Sequence, residues 1–430
     1  MTTTTPATKA QHFIDLEDRY GAHNYHPLPV VLSEGRGCYV WDVDGKKYFD
    51  FLSAYSAVNQ GHCHPRIIDV MVQQSRNLTL TSRAFHNDQL GEYEKYVTEY
   101  FGFDKVLPMN TGAEGVETAI KLCRKWGYEK KGIPANQARI IVCGQNFHGR
   151  TTTIISFSSD PDAKGNFGPY TPGFESVPYG DIAAMEAALA NDPATIAGVL
   201  VEPIQGEAGV FVPEDGYLRA VRDACQANNI LFIADEIQTG VARTGALLRV
   251  CGDCTCAGHC ERQPATYLRP DILILGKALS GGTYPVSAVL ADDAVMNVIQ
   301  PGQHGSTFGG NPVACAVAKE ALEVVRDEKL TQQARELGHI FRAEMQKLVD
   351  AYPQLLKLVR GKGLLNALVI NDAPESKTAW NFCLALAERG LLAKPTHGNI
   401  IRFAPPLVIT EAQLREACAI IAATVREWAS

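Results

Sequence analysis

Short apolar runs that each end in a polar cluster, interleaved with helical patterns, constrain this chain more than any other feature. Residues 139–143 run into GQNFHGRT, 197–201 into EPIQGEAG, 229–234 into DEIQTG, and 272–275 into GKALSGG. Each run is too short for a helix and rich in branched apolar residues, as expected of strands buried on both faces of a parallel sheet. An amphipathic helix is expected over 217–228. This alternation specifies a doubly wound α/β sheet. Such sheets bind ligands outside the carboxyl ends of their strands, so the polar clusters should share one edge.

Lys277 stands at that edge, just beyond its strand. A desolvated lysine is shifted toward its neutral, nucleophilic form. Taken alone, Lys277 reads more readily as a lysine leaving the sheet for water. A second feature is the strand 105–107, followed by Asn110-Thr111-Gly112 and a helix carrying Val116, Ile120, Leu122 and Cys123 at helical spacing. Free N–H groups and the positive end of the helix dipole suit a phosphate there, although Asn and Thr are also ordinary caps. A third is Asp235, a carboxylate closing the apolar run LFIA. It reads alternatively as a cap or an ion pair, and Glu236 competes with it by position. An aldehyde for the lysine, a ring nitrogen for the carboxylate and a phosphate for the helix occur together in pyridoxal phosphate.

The 430 residues carry a formal net charge of −7, with no basic run or basic amphipathic stripe. Nucleic acid and acidic membranes are therefore poor partners, and small soluble substrates fit better. The start, MTTTTPATKAQHF, has neither an apolar core of signal-peptide length nor an arginine-rich amphipathic pattern, so a cytoplasmic location is expected; a trimmed chain would look the same. Residues 1 to about 20 are polar and expected to be mobile at the very start.

Alternating apolar positions around DVDGKK read as a hairpin, 38–41 against 47–51, and Pro65 opens a helix through Ser75. Later come a strand in YPVSAVLAD, the loop GQHGSTFGGNP, helices over 312–328 and 330–352, strand-like LLNALVI and IIRFAPPL, and a closing helix from Thr410. The expected division is an N-terminal segment, 1–55, joining a small lobe; a large cofactor-binding domain, 56–325; and a small C-terminal α+β domain, 326–430.

The segments TGAEGVETAIK, VEPIQGEAG, LFIADEIQTGVARTG, PDILILGKALSGGTYPVSAV and HGSTFGGNP resemble, in order and spacing, the signatures of class III (subgroup II) pyridoxal-phosphate-dependent aminotransferases. HNYHPLPVVL, YSAVNQGHCHP, LTLTSRAFHN, VLPMNTGAE, RGKGLLNALVI and LLAKPTHGNIIRFAPPLVI are similar to the branch of that family acting on the δ-amine of ornithine, and the similarity runs from about Tyr20 to the C-terminus. The resemblance implies the aspartate-aminotransferase-like fold (fold type I), α/β, with a mostly parallel sheet in the large domain and a smaller α+β domain. It implies a homodimer with its active sites at the subunit interface. It makes Lys277 the cofactor-bonding and proton-shuttling lysine, Asp235 the partner of the ring nitrogen, Gln238 a contact to the ring's phenolic oxygen, and Phe147 the aromatic stacked on the ring. Gly112 and Ala113 match the phosphate-binding helix start, and Ser306 and Thr307 a loop reaching the neighbouring subunit's phosphate. Tyr25, Tyr55 and Arg150 match the substrate site, where Tyr25 and Arg150 grip the α-carboxylate of L-ornithine. Glu207 and Arg402 match a switch that opens when 2-oxoglutarate enters.

Two positions depart from the pattern. His148 stands where a bulky aromatic is expected, as a tolerated ring swap or as the sign of a roomier, more polar pocket open to N-acetylornithine or 4-aminobutyrate. The insert CGDCTCAGHC gathers Cys251, Cys254, Cys256 and Cys260 with His259. Zinc, a reversible disulfide and inert thiols all remain open for it, because the separated two-pair spacing of structural zinc sites is missing. Another ω-aminotransferase or an aminomutase fits the same scaffold, whereas a nucleotide-dependent oxidoreductase lacks its G-x-G-x-x-G.

Overall fold

The computed structural model describes residues 9–252 and 267–429. Lys9–Tyr20 forms a helix that buries none of its residues. Polarity alone did not reveal it. The chain then builds β1 (Leu32–Arg36), β2 (Tyr39–Asp42) and β3 (Lys47–Asp50), paired antiparallel in that order. The turn of the expected hairpin closes because the Asp42 carboxylate accepts the N–H groups of Asp44 and Lys46 at 3.0 and 2.8 Å, the local bonding that favours Asp in turns.

The central sheet holds β4 (Lys105–Met109), β5 (Arg139–Cys143), β6 (Phe174–Val177), β7 (Ile196–Val201), β8 (Leu231–Asp235), β9 (Ile272–Leu275) and β10 (Ser287–Ala291), in the order β4-β10-β9-β8-β7-β5-β6. The five strands from β9 to β6 are parallel, while β10 runs antiparallel to both of its neighbours. Alternation sends Val199, Val201, Phe232, Ala234, Leu273 and Leu275 into one core layer, and Leu200, Leu231, Ile233, Ile272 and Ile274 into the other. Each buried Val, Leu, Ile or Phe contributes about 1.5–3 kcal/mol, so the strand ends form a rigid platform. β8 begins two residues later than its apolar run. Asn229 takes φ +52° and donates to Gln226 O, and Ile230 N donates to Cys225 O, so both residues close the preceding helix, Tyr217–Ala227.

The helix Gly112–Trp126 lies against β9 and β10. Its approach needs a glycine, because a Cβ at Gly115 would stand 3.0 Å from Ile274 Cγ2. Thr111 and Glu114 complete a capping box at its start.

Helices Pro312–Asp327 and Leu330–Ala351 lead to β11 (Leu356–Lys362), β12 (Leu365–Ile370), β13 (Leu391–Leu392), β14 (Lys394–Pro395) and β15 (Ile400–Phe403), closed by the helix Glu411–Ala429. β13 pairs parallel with β3, and the others form a sheet of order β11-β12-β15-β14. Arg243, fully buried, ties these parts together by donating to Asn59 Oδ1 and to the carbonyls of Leu364 and Pro405. No helix among the described residues is long and apolar enough to cross a membrane.

Candidate active site

The carboxyl ends of β5, β7, β8 and β9 enclose a cavity of about 210 Å³ lined by Phe147, His148, Glu202, Glu207, Asp235, Gln238 and Lys277. Gly112 and Ala113, the first helical residues after Thr111, complete it. These are the residues that the strand-end argument places on one edge. A second cavity of about 480 Å³ shares Phe147 and Glu207 and extends past Asp160 and His397.

Lys277 follows β9 with φ +43°, in the left-handed region that a lysine seldom occupies. Burial lowers its pKa, Asp235, Glu207 and Glu202 push it back up, and Arg402 adds to the fall; the net is a decrease. Asp235 ends β8, where its Oδ1 accepts the Ile237 N–H at 3.1 Å and its Oδ2 lies 2.6 Å from His148 Nδ1. Glu236 points elsewhere: its carboxylate accepts Thr239 Oγ1 and Val250 N. Of the two carboxylates, Asp235 lines the cavity and Glu236 does not. Burial alone would lower the His148 pKa, but the hydrogen bond and charge of Asp235, with Glu202, raise it overall. The imidazole nitrogen Nε2 is buried with no partner among the described residues.

Glu202 was not singled out from sequence, although it too stands just past a strand. It is buried and accepts the Phe147 N–H at 2.8 Å. Burial pushes its pKa up to about 7, with Asp235 adding to the rise while His148, the Phe147 N–H and Lys277 oppose it.

Arg402, on β15, is buried and donates through one guanidinium nitrogen to Glu207 Oε2 at 2.8 Å. Its Nε is buried without a partner among the described residues. Burial raises the Glu207 pKa, but the charge and hydrogen bond of Arg402, with Lys277 and His397, hold it below the usual carboxylate range. A Cβ at Gly206 would overlap the Gln238 side chain, so glycine there leaves the Gln238 amide its place at the cavity.

Tyr55 reaches this wall through a run of left-handed residues, Ser53 to Ser56, with φ between +46° and +71°. Such residues cost about 1–3 kcal/mol each and persist only where their surroundings fix them. Here Asp50 Oδ1 accepts the N–H groups of Leu52 and Ser53, and Ser53 Oγ donates to Ala404 O. The Tyr55 ring centroid lies 5.1 Å from the Arg402 guanidinium carbon. Burial raises the Tyr55 pKa, helped by Glu207 and Tyr25 and opposed by Arg402 and Arg150. Arg150 sits 5.8 Å from the Phe147 ring and Tyr25 is 65% exposed; neither of them, nor Tyr55 or Arg402, lines the 210 Å³ cavity.

Ser306 and Thr307 do not line the cavity. Ser306 Oγ accepts Asn110 Nδ2 at 2.8 Å beside the same chain's helix start, and Thr307 is exposed. Cys254, Cys256, His259 and Cys260 lie outside the described residues; Cys251 is buried. No group of three or more His, Cys, Asp or Glu suited to a metal occurs among the described residues.

The donor set fits pyridoxal phosphate: a desolvated amine, a fixed carboxylate and uncommitted N–H groups at a helix start face one cavity. Phe147 borders the same space. The model of the aminotransferase class-III family matches residues 20–425. The chain is 59% identical over 409 residues to a mitochondrial ornithine aminotransferase of Drosophila ananassae, covering 95% of this chain and 90% of that one. Among solved structures, the ornithine aminotransferase of Toxoplasma gondii is 46% identical, with a TM-score of 0.92 and coverage of 98% and 96%. The acetylornithine aminotransferase of Elizabethkingia anophelis is 62% identical, with a TM-score of 0.88 and coverage of 98% and 100%. With its matching residues spanning nearly the whole sequence and its strand-end lysine and carboxylate in one pocket, the chain belongs to the class III aminotransferases, enzymes that depend on pyridoxal phosphate.

Proposed function

We propose that this chain transfers the δ-amino group of L-ornithine to 2-oxoglutarate, giving glutamate and glutamate 5-semialdehyde, which cyclises to pyrroline-5-carboxylate. The observation that carries the reading is Arg402 bonded behind Glu207, which lines the pocket. While covered, Arg402 cannot seat an α-carboxylate, so an amino acid enters by its far end. Tyr25, Tyr55 and Arg150 then hold its α-carboxylate at the mouth. When 2-oxoglutarate arrives, Glu207 leaves and Arg402 takes the α-carboxylate. The Nε, without a partner among the described residues, supports this role, because a carboxylate can bond a guanidinium at two nitrogens.

When bound, pyridoxal phosphate supplies an aldehyde for the reacting amine and a ring that accepts electron density. Gly112 and Ala113 would hold its phosphate, Phe147 stack on its ring, Gln238 meet its phenolic oxygen and Asp235 face its ring nitrogen. Lys277 Nζ removes the proton from the carbon bearing the reacting amine and returns one in the second half of the cycle. By the family resemblance Ser306 and Thr307 would reach the phosphate of a neighbouring subunit, making the working unit a homodimer with its sites at the interface, although Ser306 Oγ here accepts Asn110 of its own chain.

A second reading, N-acetylornithine as donor, is favoured by the acetylornithine aminotransferase of E. anophelis. The two donors differ at the α-nitrogen, which is charged in ornithine and acylated in its derivative. Steady-state kinetics with ornithine, N-acetylornithine and 4-aminobutyrate separates the readings. A thousandfold preference for ornithine in kcat/KM, about 4 kcal/mol of barrier, supports the first; parity or reversal rejects it.

A further inference from the structure

Glu207 is bonded to Arg402 and acts on Lys394, while Lys277 and His397 act on it in turn. β14 pairs antiparallel with β15 so that Lys394 stands directly opposite Arg402. Directly opposed residues project to the same face with Cβ atoms about 4.5–5.5 Å apart, and like charges in that position repel. Glu207 relieves the repulsion on the Arg402 side only, at 2.8 Å. Lys394 is half-buried and makes no ion pair or side-chain hydrogen bond among the described residues. Burial pulls its pKa down, the charge of Glu207 pulls it up and that of Arg402 pulls it down again, the net being a decrease. A half-buried ammonium without a bonded partner among the described residues is costly to keep for packing alone.

The backbone around Glu207 is fixed on both sides. Thr396, two residues after Lys394, donates its hydroxyl to Glu207 O. Gly209 O accepts two nitrogens of Arg360 at 3.0 and 2.8 Å. Exchange of partners by Glu207 is therefore a side-chain rotation within a fixed frame. A partly buried carboxylate that loses its partner with no replacement costs several kcal/mol, which would tax every keto acid that binds Arg402. His397 and Lys277 also act on Glu207 from the cavity side.

We infer that Lys394 is a positioning residue of the acceptor half-reaction: it receives the Glu207 carboxylate when a keto acid's α-carboxylate takes Arg402. The switch then has three members, with Glu207 moving between two cations on one sheet face. This inference rests on the proposed Glu207–Arg402 switch.

The test uses aldehyde-form holoenzyme, which cannot transaminate a keto acid, so calorimetry reads binding without turnover. Lys394→Met should weaken 2-oxoglutarate and pyruvate alike by about tenfold, about 1.4 kcal/mol. Lys394→Arg should restore both to within about threefold, and single-turnover reaction with ornithine should change less than about twofold. Unchanged keto-acid binding in Lys394→Met overturns the inference. So does a loss confined to 2-oxoglutarate, which would assign Lys394 to the distal carboxylate. A parallel fall in the ornithine reaction without rescue by Arg would leave only a structural role and also overturns it. Arg402→Ala separates the two levels: normal keto-acid binding there sinks the switch itself, whereas lost binding beside an unaffected Lys394→Met sinks only the role of Lys394.

Discussion

His148 Nδ1 lies 2.6 Å from Asp235 Oδ2, with both side chains shut off from solvent. The imidazole therefore works on the carboxylate behind the cofactor site. A ring in this position had two sequence readings, a simple aromatic swap and a widened substrate pocket, and the contact with Asp235 supplies a third. Asp235 and Glu202 raise the pKa of His148 against the effect of burial, and with the proton on Nδ1 the imidazole donates a charge-assisted hydrogen bond to the carboxylate.

Replacing His148 with Phe removes that bond and leaves the carboxylate with the Ile237 N–H. Bonds to charged groups contribute about 1.5–3 kcal/mol, so kcat should fall about 10- to 100-fold. His148→Gln, whose amide can still donate, should fall less. The loss should be the same factor for ornithine and N-acetylornithine, because the residue acts through Asp235. A change in the ratio of the two kcat/KM values would return His148 to the substrate pocket.

Lys277→Ala removes the group proposed both to bond the aldehyde and to move the proton. Proton transfer by a positioned side chain is worth about 10²–10⁴-fold, and loss of covalent assistance adds to it, so turnover should fall by at least about 10⁴-fold. Stopped-flow mixing with ornithine measures this. Methylamine, a small primary amine, should restore part of the rate by entering the vacated space.

The rows of strand-end polar groups were legible because local pattern and sheet geometry agree: a short branched run must be a buried strand, and its end must face the ligand edge. The placement of Lys277 and Asp235 at that edge followed from that logic with no tertiary information, whereas their expected roles came from the convergence of features and the family resemblance. Tyr55 did not, since its left-handed turn depends on Asp50 and on Ala404, far along the chain. The opposition of Lys394 and Arg402 depends on the register of a two-residue strand, which carries no pattern of its own. The partners of Glu202 likewise come from β5 and β8, although its place at the end of β7 matched the same strand-end rule.

Glu202 supplies a pH signature. Its folded pKa is raised from 4.5 to about 7, so folding favours its protonated form. The stability it contributes is fully present below the unfolded pKa and is lost as pH rises through about 7. Melting temperature of the cofactor-free chain should therefore carry a falling component between pH about 4.5 and 7. Glu202→Gln keeps an oxygen for the Phe147 N–H and has no proton to lose, so it should remove that component. A Gln variant with an unaltered pH profile would show that the carboxyl titrates at its ordinary value in the fold.

Removing the cover from Arg402 gives the sharpest test of donor selection. In Glu207→Ala the guanidinium loses its bonded anion and stands free to hold the α-carboxylate of an amino acid beside the reacting centre. Glutamate, whose only amine is the α-amine, should then react faster as a donor. The lost bond is charge-assisted and worth about 1.5–3 kcal/mol, which corresponds to a gain of about 10- to 100-fold in kcat/KM for glutamate. Ornithine should react more often at its α-amine, and product analysis after single turnover should show the α-keto acid beside the semialdehyde. The keto-acid half-reaction should speed up as well, because 2-oxoglutarate no longer has to displace a bonded carboxylate. If glutamate and ornithine keep their original rates and regiochemistry, Arg402 is not screened by Glu207 in solution, and δ-selectivity must come from Tyr25, Tyr55 and Arg150 alone.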